Sequence, residues 1–323
     1  MRTQARFGTI LPFSRRVIEL MWFKTLRAYR LTSPFDLSAE QLEVKLGEAV
    51  FTPCAQSQPA SFGWVPPLGD ASELLVHAVG GRFLLSMRRE ERLLPTTVVR
   101  EKVTQRIAEI EAAEARKVYR KERLQLKDEI VQDCLPRAFT RSSLVYGYID
   151  TRQNWLFVDA AAAGRAEDFV SLLRESIGTL PLLLPQVNQS PAAAMTSWLM
   201  HRSLPEDFAL GSDCELRDIG EDAGVVRCRG LELVGEEVDT HLQAGRQVTR
   251  LALAWQEKLE FVLAEDLVLR RLRFADTLLD THDDMDATDI LARFDADFAL
   301  MTDVVSELQE RIINILGGEA EVS

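Results

Sequence analysis

The stretch 248-VTRLALAWQEKLEFVLAEDLVLRRLRF-274 decides the fold, because its apolar and polar side chains alternate with a period of two. Such alternation is typical of strands that bury one face, and the short polar breaks between the runs predict turns. We therefore expect strands at 248–255, 258–264 and 267–273, following one another as antiparallel neighbours.

The rest of the chain switches between strand and helix periods. Further strands are expected at 22–31, 74–94 (a hairpin around Gly80-Gly81), 143–149, 155–160 and 224–229. Helices are expected at 38–50, 166–177, 192–201, 236–244 and near the C-terminus, the first with Ser38 as N-cap and Gln41 completing a capping box. Residues 51–69 are interpreted as a Pro-rich connection.

Residues 96–134 contain no Gly or Pro and carry apolar side chains at helical spacing. The pattern predicts a long helix over 96–134 with a break near Lys117 to Lys121, since a straight helix of this length would span roughly 60 Å. The predicted class is α+β, with mixed antiparallel sheets and two long helices.

The length of 323 residues predicts about two domains. We expect a first α/β unit at 21–185, a second with a basic strand at 186–275, and an acidic helical segment at 276–323. Residues 1–20 are interpreted as a loose N-terminal extension without a core function. No apolar run reaches the roughly 18 to 20 residues that span a bilayer, so no membrane contact is expected.

Charge is segregated along the chain, whose net charge is −12. Residues 276–323 hold thirteen acidic and two basic side chains, whereas 100–127 hold nine basic and five acidic ones. Bulk acidity argues against an ordinary nucleic-acid binder. The separation leaves two interpretations open: a basic face for an anion, or ordinary solvated faces.

The sequence contains no recognisable catalytic or cofactor motif. It has no phosphate-binding P-loop, no dinucleotide fingerprint and no HExxH pair, and its four His are scattered. Its four cysteines (Cys54, Cys134, Cys214 and Cys228) form no CxxC pair, so reduced and mostly buried thiols are expected. The residues therefore give no catalytic constellation, and no cofactor is expected.

The run Asp280–Asp289 is the one candidate metal site. Asp284, Asp286 and Thr288 follow an EF-hand-like spacing, but Asp289 stands where that loop needs Gly. Charge near a helix N-terminus explains such a run better. A metal-dependent nuclease built on it stays open as an alternative.

Several longer motifs occur in register from Met21 to about Gly318. They are MWFKTLRAYRL at 21–31, FTPC at 51–54, GWVPPLG at 63–69, LKDEI at 126–130, LPRAF at 135–139, VTRLALAWQEKLEFVL at 248–263 and RFDADFALMT at 293–302. Together they resemble the bacterial recombination-associated RdgC family.

The resemblance implies a DNA-binding protein without enzymatic activity, located in the bacterial cytoplasm at the nucleoid. Elongated, curved subunits of the family pair into a ring-shaped homodimer that encircles duplex DNA with little sequence preference. The family restrains recombination by limiting RecA. Two readings of that antagonism stay open: occlusion of DNA by the ring, or direct RecA binding through the acidic C-terminal segment.

The resemblance also implies where DNA is contacted. The family's basic strand and tip correspond to 225–229, which makes Arg227 and Arg229 candidate contacts, although Gly230-Leu231 stands where the family carries Lys and Gln. Arg250 lies on the matching strand 248–255. Arg271 and Arg273 are two apart, so on a strand they would share a face.

A second basic group and a candidate subunit contact lie between 116 and 139. Arg116, Lys117, Arg120 and Lys121 would form a helical stripe through i, i+4 spacing and are candidate DNA contacts. Leu135 and Phe139 flank Pro136 in a turn and are candidate residues of the dimer interface. For Phe139, a place in the core stays equally open.

Overall fold

The computed structural model of the chain describes residues 22–218, 220, 224–282 and 290–320. Within these ranges the strands are β1 (Thr25–Leu31), β2 (Ala60–Val65), β3 (Val76–Val79), β4 (Arg82–Arg92), β5 (Thr140–Asp150), β6 (Trp155–Val158), β7 (Leu182–Leu183), β8 (Phe208–Arg217), β9 (Val225–Cys228), β10 (Gln247–Trp255), β11 (Leu259–Ala264) and β12 (Leu269–Phe274). The α-helices are α1 (Ala39–Gly47), α2 (Thr96–Glu114), α3 (Arg120–Cys134), α4 (Ala163–Ile177), α5 (Pro191–His201), α6 (Glu236–Gln243), α7 (Asp276–Leu279) and α8 (Ile290–Ile315). The extension predicted at 1–20 lies outside the described residues.

Strand β1 joins the two halves of one antiparallel sheet, which runs β2-β4-β5-β6-β1-β12-β11-β10-β8-β9. At its start β1 pairs with β12, where Leu26 lies opposite Leu269. Further along it pairs with β6, where Ala28 lies opposite Phe157. The predicted α+β class with antiparallel strands is confirmed. The proposed division into domains stays a prediction.

The local predictions hold where the pattern was regular. The three strands of the opening stretch are β10, β11 and β12, and the hairpin around Gly80-Gly81 is formed by β3 and β4. Helix α1 begins with the predicted capping box. The backbone N–H of Gln41 donates to Ser38 Oγ at 3.3 Å, and that of Ser38 donates to Gln41 Oε1 at 2.9 Å.

Three strands of the described residues were missed, namely β2, β8 and the two-residue β7. The interpretation of 51–69 as a connection is wrong for β2, in which Trp64 lies opposite Met87 of β4. Prolines at 59 and 66 flank this strand and obscured it. Strand β8 was missed because Gly211 and the charged residues 213, 215 and 217 break the apolar pattern. Two of those charged residues, Asp213 and Glu215, line the candidate site.

The single long helix expected at 96–134 is wrong, whereas the break within it is confirmed. Helix α2 ends at Glu114, the next residue Ala115 has a left-handed φ of 51°, and α3 begins at Arg120. The turn is held by Glu111, whose carboxylate accepts from the Val118 backbone N–H at 2.9 Å. The two helices form an antiparallel hairpin, in which Lys102 Nζ near one end lies 3.4 Å from Cys134 Sγ.

The acidic C-terminal segment is an integral part of the core. Helix α8 buries Phe294, Phe298 and Met301 against the sheet. Its Asp303 carboxylate lies 2.7 Å from the guanidinium of Arg82, which also donates to the fully buried Asp150. The acidic residues 283–289 lie outside the described part.

All four cysteines are free and buried, as expected. None of the described helices is both long and apolar enough to cross a membrane.

Candidate nucleic-acid interface

Residues on and next to strands β8 to β12 line one open, basic cleft of about 360 Å³. We call it the arginine cleft. It is lined by Asp213, Cys214, Glu215, Arg227, Cys228, Arg229, Arg250, Val262, Arg270 and Arg271. Four of the predicted contact residues, from three separate stretches of sequence, therefore lie around one cleft. Arg270 is a fifth arginine.

Glu215 lies at the centre of the cleft because the register of the sheet places it opposite two arginines. On β8 it faces Arg250 of β10 on one side and Arg227 of β9 on the other. Arg227 Nε donates to Glu215 Oε2 at 2.8 Å, and Arg250 Nη1 donates to the same oxygen at 3.3 Å. The other carboxylate oxygen accepts from Thr249 Oγ1 at 3.3 Å.

The ionised form of Glu215 is favoured although its side chain is 5% exposed. Burial by itself would raise the pKa of a carboxyl group. The hydrogen bond from Arg227 and the charges of Arg250 and Arg227 outweigh that effect, so the pKa of Glu215 lies below its ordinary value. The carboxylate therefore serves as a fixed internal counterion for both guanidiniums.

Asp213 is the second carboxylate of the cleft, two residues earlier on β8. Its Oδ1 accepts from the Gly230 backbone N–H at 3.0 Å, and its Oδ2 lies 2.7 Å from Arg271 Nη2. The backbone hydrogen bond from Gly230, followed by that from Arg271, lowers the pKa of Asp213. Gly230, where the sequence departs from the family pattern, thus closes the end of the cleft with a positive φ of 63°.

Some donors of the cleft lack an internal acceptor. Arg270 Nε is buried without a hydrogen-bond partner in the described part of the chain. Burial lowers the pKa of Arg270, and the positive charges of Arg250 and Arg27 lower it further. The negative charge of Asp266 raises it and offsets part of this effect. Arg229 is exposed at the rim and makes no hydrogen bond or ion pair within the described ranges. Of these two side chains, the exposed guanidinium of Arg229 is the one that an anion can reach.

Arg271 and Arg273 do not form the regular pair that we expected. Arg271 has a left-handed φ of 53°, and the pairing of β11 with β12 shifts register between Glu260 and Val262. A bulge of this kind interrupts the strict alternation of side chains. Arg271 therefore lines the cleft, whereas Arg273 lies 3.6 Å from Glu260.

The basic group at 116–121 lies on the α2–α3 hairpin, away from the arginine cleft in the strand order. The predicted helical stripe is wrong, because Arg116 and Lys117 lie in the turn before α3. Arg116 is held by Glu122 at 2.7 Å and by Glu114 at 2.5 Å, and these hydrogen bonds raise its pKa. Lys117 and Lys121 are exposed, and Arg120 lines a groove of about 550 Å³ between the helices.

The two candidate interface residues have opposite environments. Leu135 is 1% exposed, so its side chain is not available to a second subunit. Phe139 is 84% exposed, so the alternative that placed it in the core is wrong. A large aromatic ring held in solvent at the end of a short turn (Leu135–Arg137) is a candidate anchor for another surface.

A family model described as "Putative exonuclease, RdgC" matches residues 21–319. Two relatives called "Recombination-associated protein RdgC" come from Yersinia pestis (strain Pestoides F) and Proteus mirabilis (strain HI4320). They are 42% and 40% identical over 302 residues, which is 94% of this chain and 100% of each relative. The chain belongs to the RdgC family.

The RdgC family match begins at residue 21, as the motifs predicted. The two descriptions differ in what they suggest, since one names an exonuclease and the other an association with recombination. Neither establishes a catalytic activity for this chain. Within the described ranges, no group of three or more His, Cys, Asp or Glu side chains could hold a metal ion. The Asp280–Asp289 run falls largely outside those ranges.

Sequence reasoning missed the acidic half of this RdgC-family site. Neither Asp213 nor Glu215 was a candidate, because β8 was not recognised as a strand. The signal was present in Asp213-Cys214-Glu215-Leu216-Arg217, where charged residues occupy every second position. On a strand such residues share one face.

Proposed function

We propose that this protein binds double-stranded DNA without sequence preference and that its arginine cleft contacts the phosphate backbone. The observation that carries the proposal is the convergence of Arg227, Arg229, Arg250, Arg270 and Arg271 around one cleft. Arginine forms charge-assisted hydrogen bonds with phosphate oxygens. Contacts to the backbone position a protein on DNA without reading bases.

The acidity of the whole chain does not oppose this proposal. Thirteen of its fifty acidic residues lie in 276–323, and five of these are on α8. None of the five lines the arginine cleft. What a phosphate meets is the local field of the cleft, where five arginines face two carboxylates. Local potential, rather than net charge, steers an anion to its site.

We propose further that two subunits form a ring around the duplex. A closed dimeric ring needs two separate contacts between its subunits, each with an apolar centre. Phe139 is one candidate centre, since it is 84% exposed. The groove between α2 and α3 is a candidate surface, with an apolar lining that includes Val99, Val103 and Leu124.

Such a ring would limit RecA at the nucleoid by occupying DNA. The alternative is direct binding of RecA through the acidic segment 276–323. The side chains of Asp303 and Glu307 on α8 are 66% and 53% exposed, which favours this alternative. Both carboxylates are engaged in ion pairs, with Arg82 and Lys258. Occupation of DNA therefore has the better support.

The test is a titration of two unrelated duplexes of equal length over a series of salt concentrations. Backbone binding predicts similar affinities for both sequences and a steep linear fall of log K with log salt. A parallel incubation of supercoiled plasmid with Mg²⁺ or Mn²⁺ tests the nuclease alternative. Absence of duplex binding together with binding of RecA would favour the acidic segment, and cutting of the plasmid would favour the nuclease.

A further inference from the structure

The side chains of Arg227 and Arg250 meet at a single carboxylate oxygen, and this arrangement has a consequence for the ligand. Both guanidiniums lie within hydrogen-bond distance of Glu215 Oε2, at 2.8 and 3.3 Å. Two positive charges brought this close repel each other. The buried carboxylate between them offsets that repulsion and holds both groups beside one point.

The same two side chains remain open to solvent on their outer side. Arg227 is 60% exposed and Arg250 is 42% exposed, whereas the carboxylate is 5% exposed. Arg227 donates to Glu215 through Nε, which leaves its two Nη groups free of Glu215. Arg250 donates through Nη1, which leaves Nη2 free of it. A guanidinium carries five N–H donors, so each arginine can serve Glu215 and a second anion together.

We infer that Arg227 and Arg250 bind one and the same phosphate, and that Glu215 is the positioning residue that brings them together. This inference rests on the proposed function and specifies how its site works. Glu215 itself lies beneath the two guanidiniums and does not touch the phosphate. Preorganised donors lose less rotamer freedom on binding than independent ones.

A shared phosphate makes a distinctive prediction, because either arginine alone would hold it. Replacing one of them by Gln removes one donor group but leaves a partner for the phosphate. Each single replacement should therefore weaken duplex binding only a little. The double replacement Arg227→Gln, Arg250→Gln should weaken it by more than the product of the two single factors. For independent contacts the factors multiply. We expect a coupling of about fivefold or more, which is within the range for residues that share a partner.

The decisive measurement repeats this double-mutant cycle in the Glu215→Gln background. Gln keeps the volume and one acceptor oxygen but removes the charge that offsets the repulsion. The coupling between Arg227 and Arg250 should then fall to about one. Glu307→Gln is the matched control, because Glu307 pairs with Lys258 at 3.3 Å and neither residue lines the cleft. It should leave the coupling intact.

A separate variant keeps the inference testable if Glu215→Gln does not fold. Arg227→Lys retains the positive charge, but it lacks the guanidinium that would donate to Glu215 and to the phosphate at the same time. It should also abolish the coupling with Arg250→Gln, although the charge is unchanged.

The outcomes separate this inference from the function on which it rests. A wild-type protein without affinity for duplex would remove the proposed function and the inference together. A protein that binds duplex normally, but whose arginine effects multiply independently, would remove the inference alone. Tighter binding by Glu215→Gln with an unchanged coupling would show that Glu215 merely adds negative charge, and would also overturn it.

Discussion

Arg227 Nε lies 2.8 Å from Oε2 of Glu215, a carboxylate that is almost completely buried on the neighbouring strand. The pair joins the edge strand β9 to β8, and Arg250 extends it to β10. A row of alternating charge therefore runs across three strands at the floor of the arginine cleft. Because Arg227 remains 60% exposed, this edge is the part of the cleft that is easiest to test.

The double change Arg227→Glu, Arg229→Glu should weaken binding of all duplexes about equally. Arg229 would neutralise about one phosphate by itself, whereas Arg227 shares its phosphate with Arg250. The salt dependence should therefore become shallower by about 0.9 for the lost Arg229 contact and by less for that of Arg227. The proposed dimer should survive, because its candidate contacts, at Phe139 and in the groove between α2 and α3, do not include these two side chains. The measurement is a salt titration with two unrelated duplexes.

The matched control for that change is Lys45→Glu, Arg174→Glu, which alters charge by the same amount on α1 and α4. These helices pack on the other half of the sheet, so the salt dependence should stay unchanged. If the cleft variant also kept its salt dependence, the contact would move to Arg250, Arg270 and Arg271.

Gly230→Lys should strengthen duplex binding and reduce stability. The added Cβ meets nothing within 4 Å, but the φ of 63° is unfavourable for any residue with a side chain. We expect a loss of about 1 kcal/mol in the free energy of unfolding and a salt dependence steeper by about 0.9. Thermal unfolding and the salt titration measure the two effects.

Leu231→Lys is its control, because it adds the same charge at a half-exposed neighbour without a positive φ. It should strengthen binding without the loss of stability. Weaker or unchanged binding by both variants would show that the end of β9 does not face DNA.

Asp159 should make the protein less stable as pH rises from about 4 to about 6. Burial raises the pKa of this carboxyl to about 6, although the hydrogen bonds that it accepts from the backbone N–H groups of Lys24 and Thr25 lower it. The folded state therefore holds the proton more tightly than the unfolded state, and its stability falls until the pH passes the folded pKa. Asp159→Asn should remove this part of the pH dependence.

Chemical denaturation at several pH values measures this effect, with Asp70→Asn in an exposed turn as the control. We expect a difference on the order of 2 kcal/mol between the two ends of the window, since one pKa unit corresponds to about 1.4 kcal/mol. Parallel pH profiles for the wild type and Asp159→Asn would contradict the assignment.

Phe139→Asp should weaken the proposed dimer and leave the subunit folded. The ring is 84% exposed, so the change costs the core nothing, but it would put a charge at the apolar centre of the proposed interface. Sedimentation at micromolar concentration measures the dimer. Val44→Asp, at another site that is 71% exposed, should have no effect. A Phe139→Asp dimer as stable as the wild type would exclude this residue from the interface.

Deletion of residues 1–20 should change neither duplex binding nor thermal stability, because the family match begins at residue 21. Loss of the soluble dimer on deletion would show that these residues take part in the fold.

The sequence was sufficient where one face of an element is apolar and the other polar. Strands β10 and β11 and the capping box at Ser38 follow from such local patterns. Strand β8 was missed although charged residues alternate at 213, 215 and 217, because Gly211 interrupts the pattern and only Cys214 and Leu216 are apolar between them. The same reason hid Glu215, whose importance depends on two arginines that lie far away in the sequence.

The hairpin of α2 and α3 shows the other limit. Helical spacing continues on both sides of the turn, and no Gly or Pro marks it. The chain turns because Ala115 adopts a left-handed conformation, and Glu111, Glu114 and Glu122 hold the following residues. Carboxylates that satisfy a turn look the same in a sequence as carboxylates on a solvated helix face.

The pairing of β1 with β12 determines the order in which the two halves of the sheet can fold during translation. Thr25 leaves the ribosome early, but its partner Arg270 emerges only when most of the chain has been synthesised. Contacts between such distant residues form slowly, because a long loop must close before they contribute. The N-terminal half of the sheet has β4, β5 and β6 available long before that. The arginine cleft therefore forms last in a nascent chain. An incomplete polypeptide that is released before β12 has been synthesised lacks Arg270 and Arg271 of that cleft.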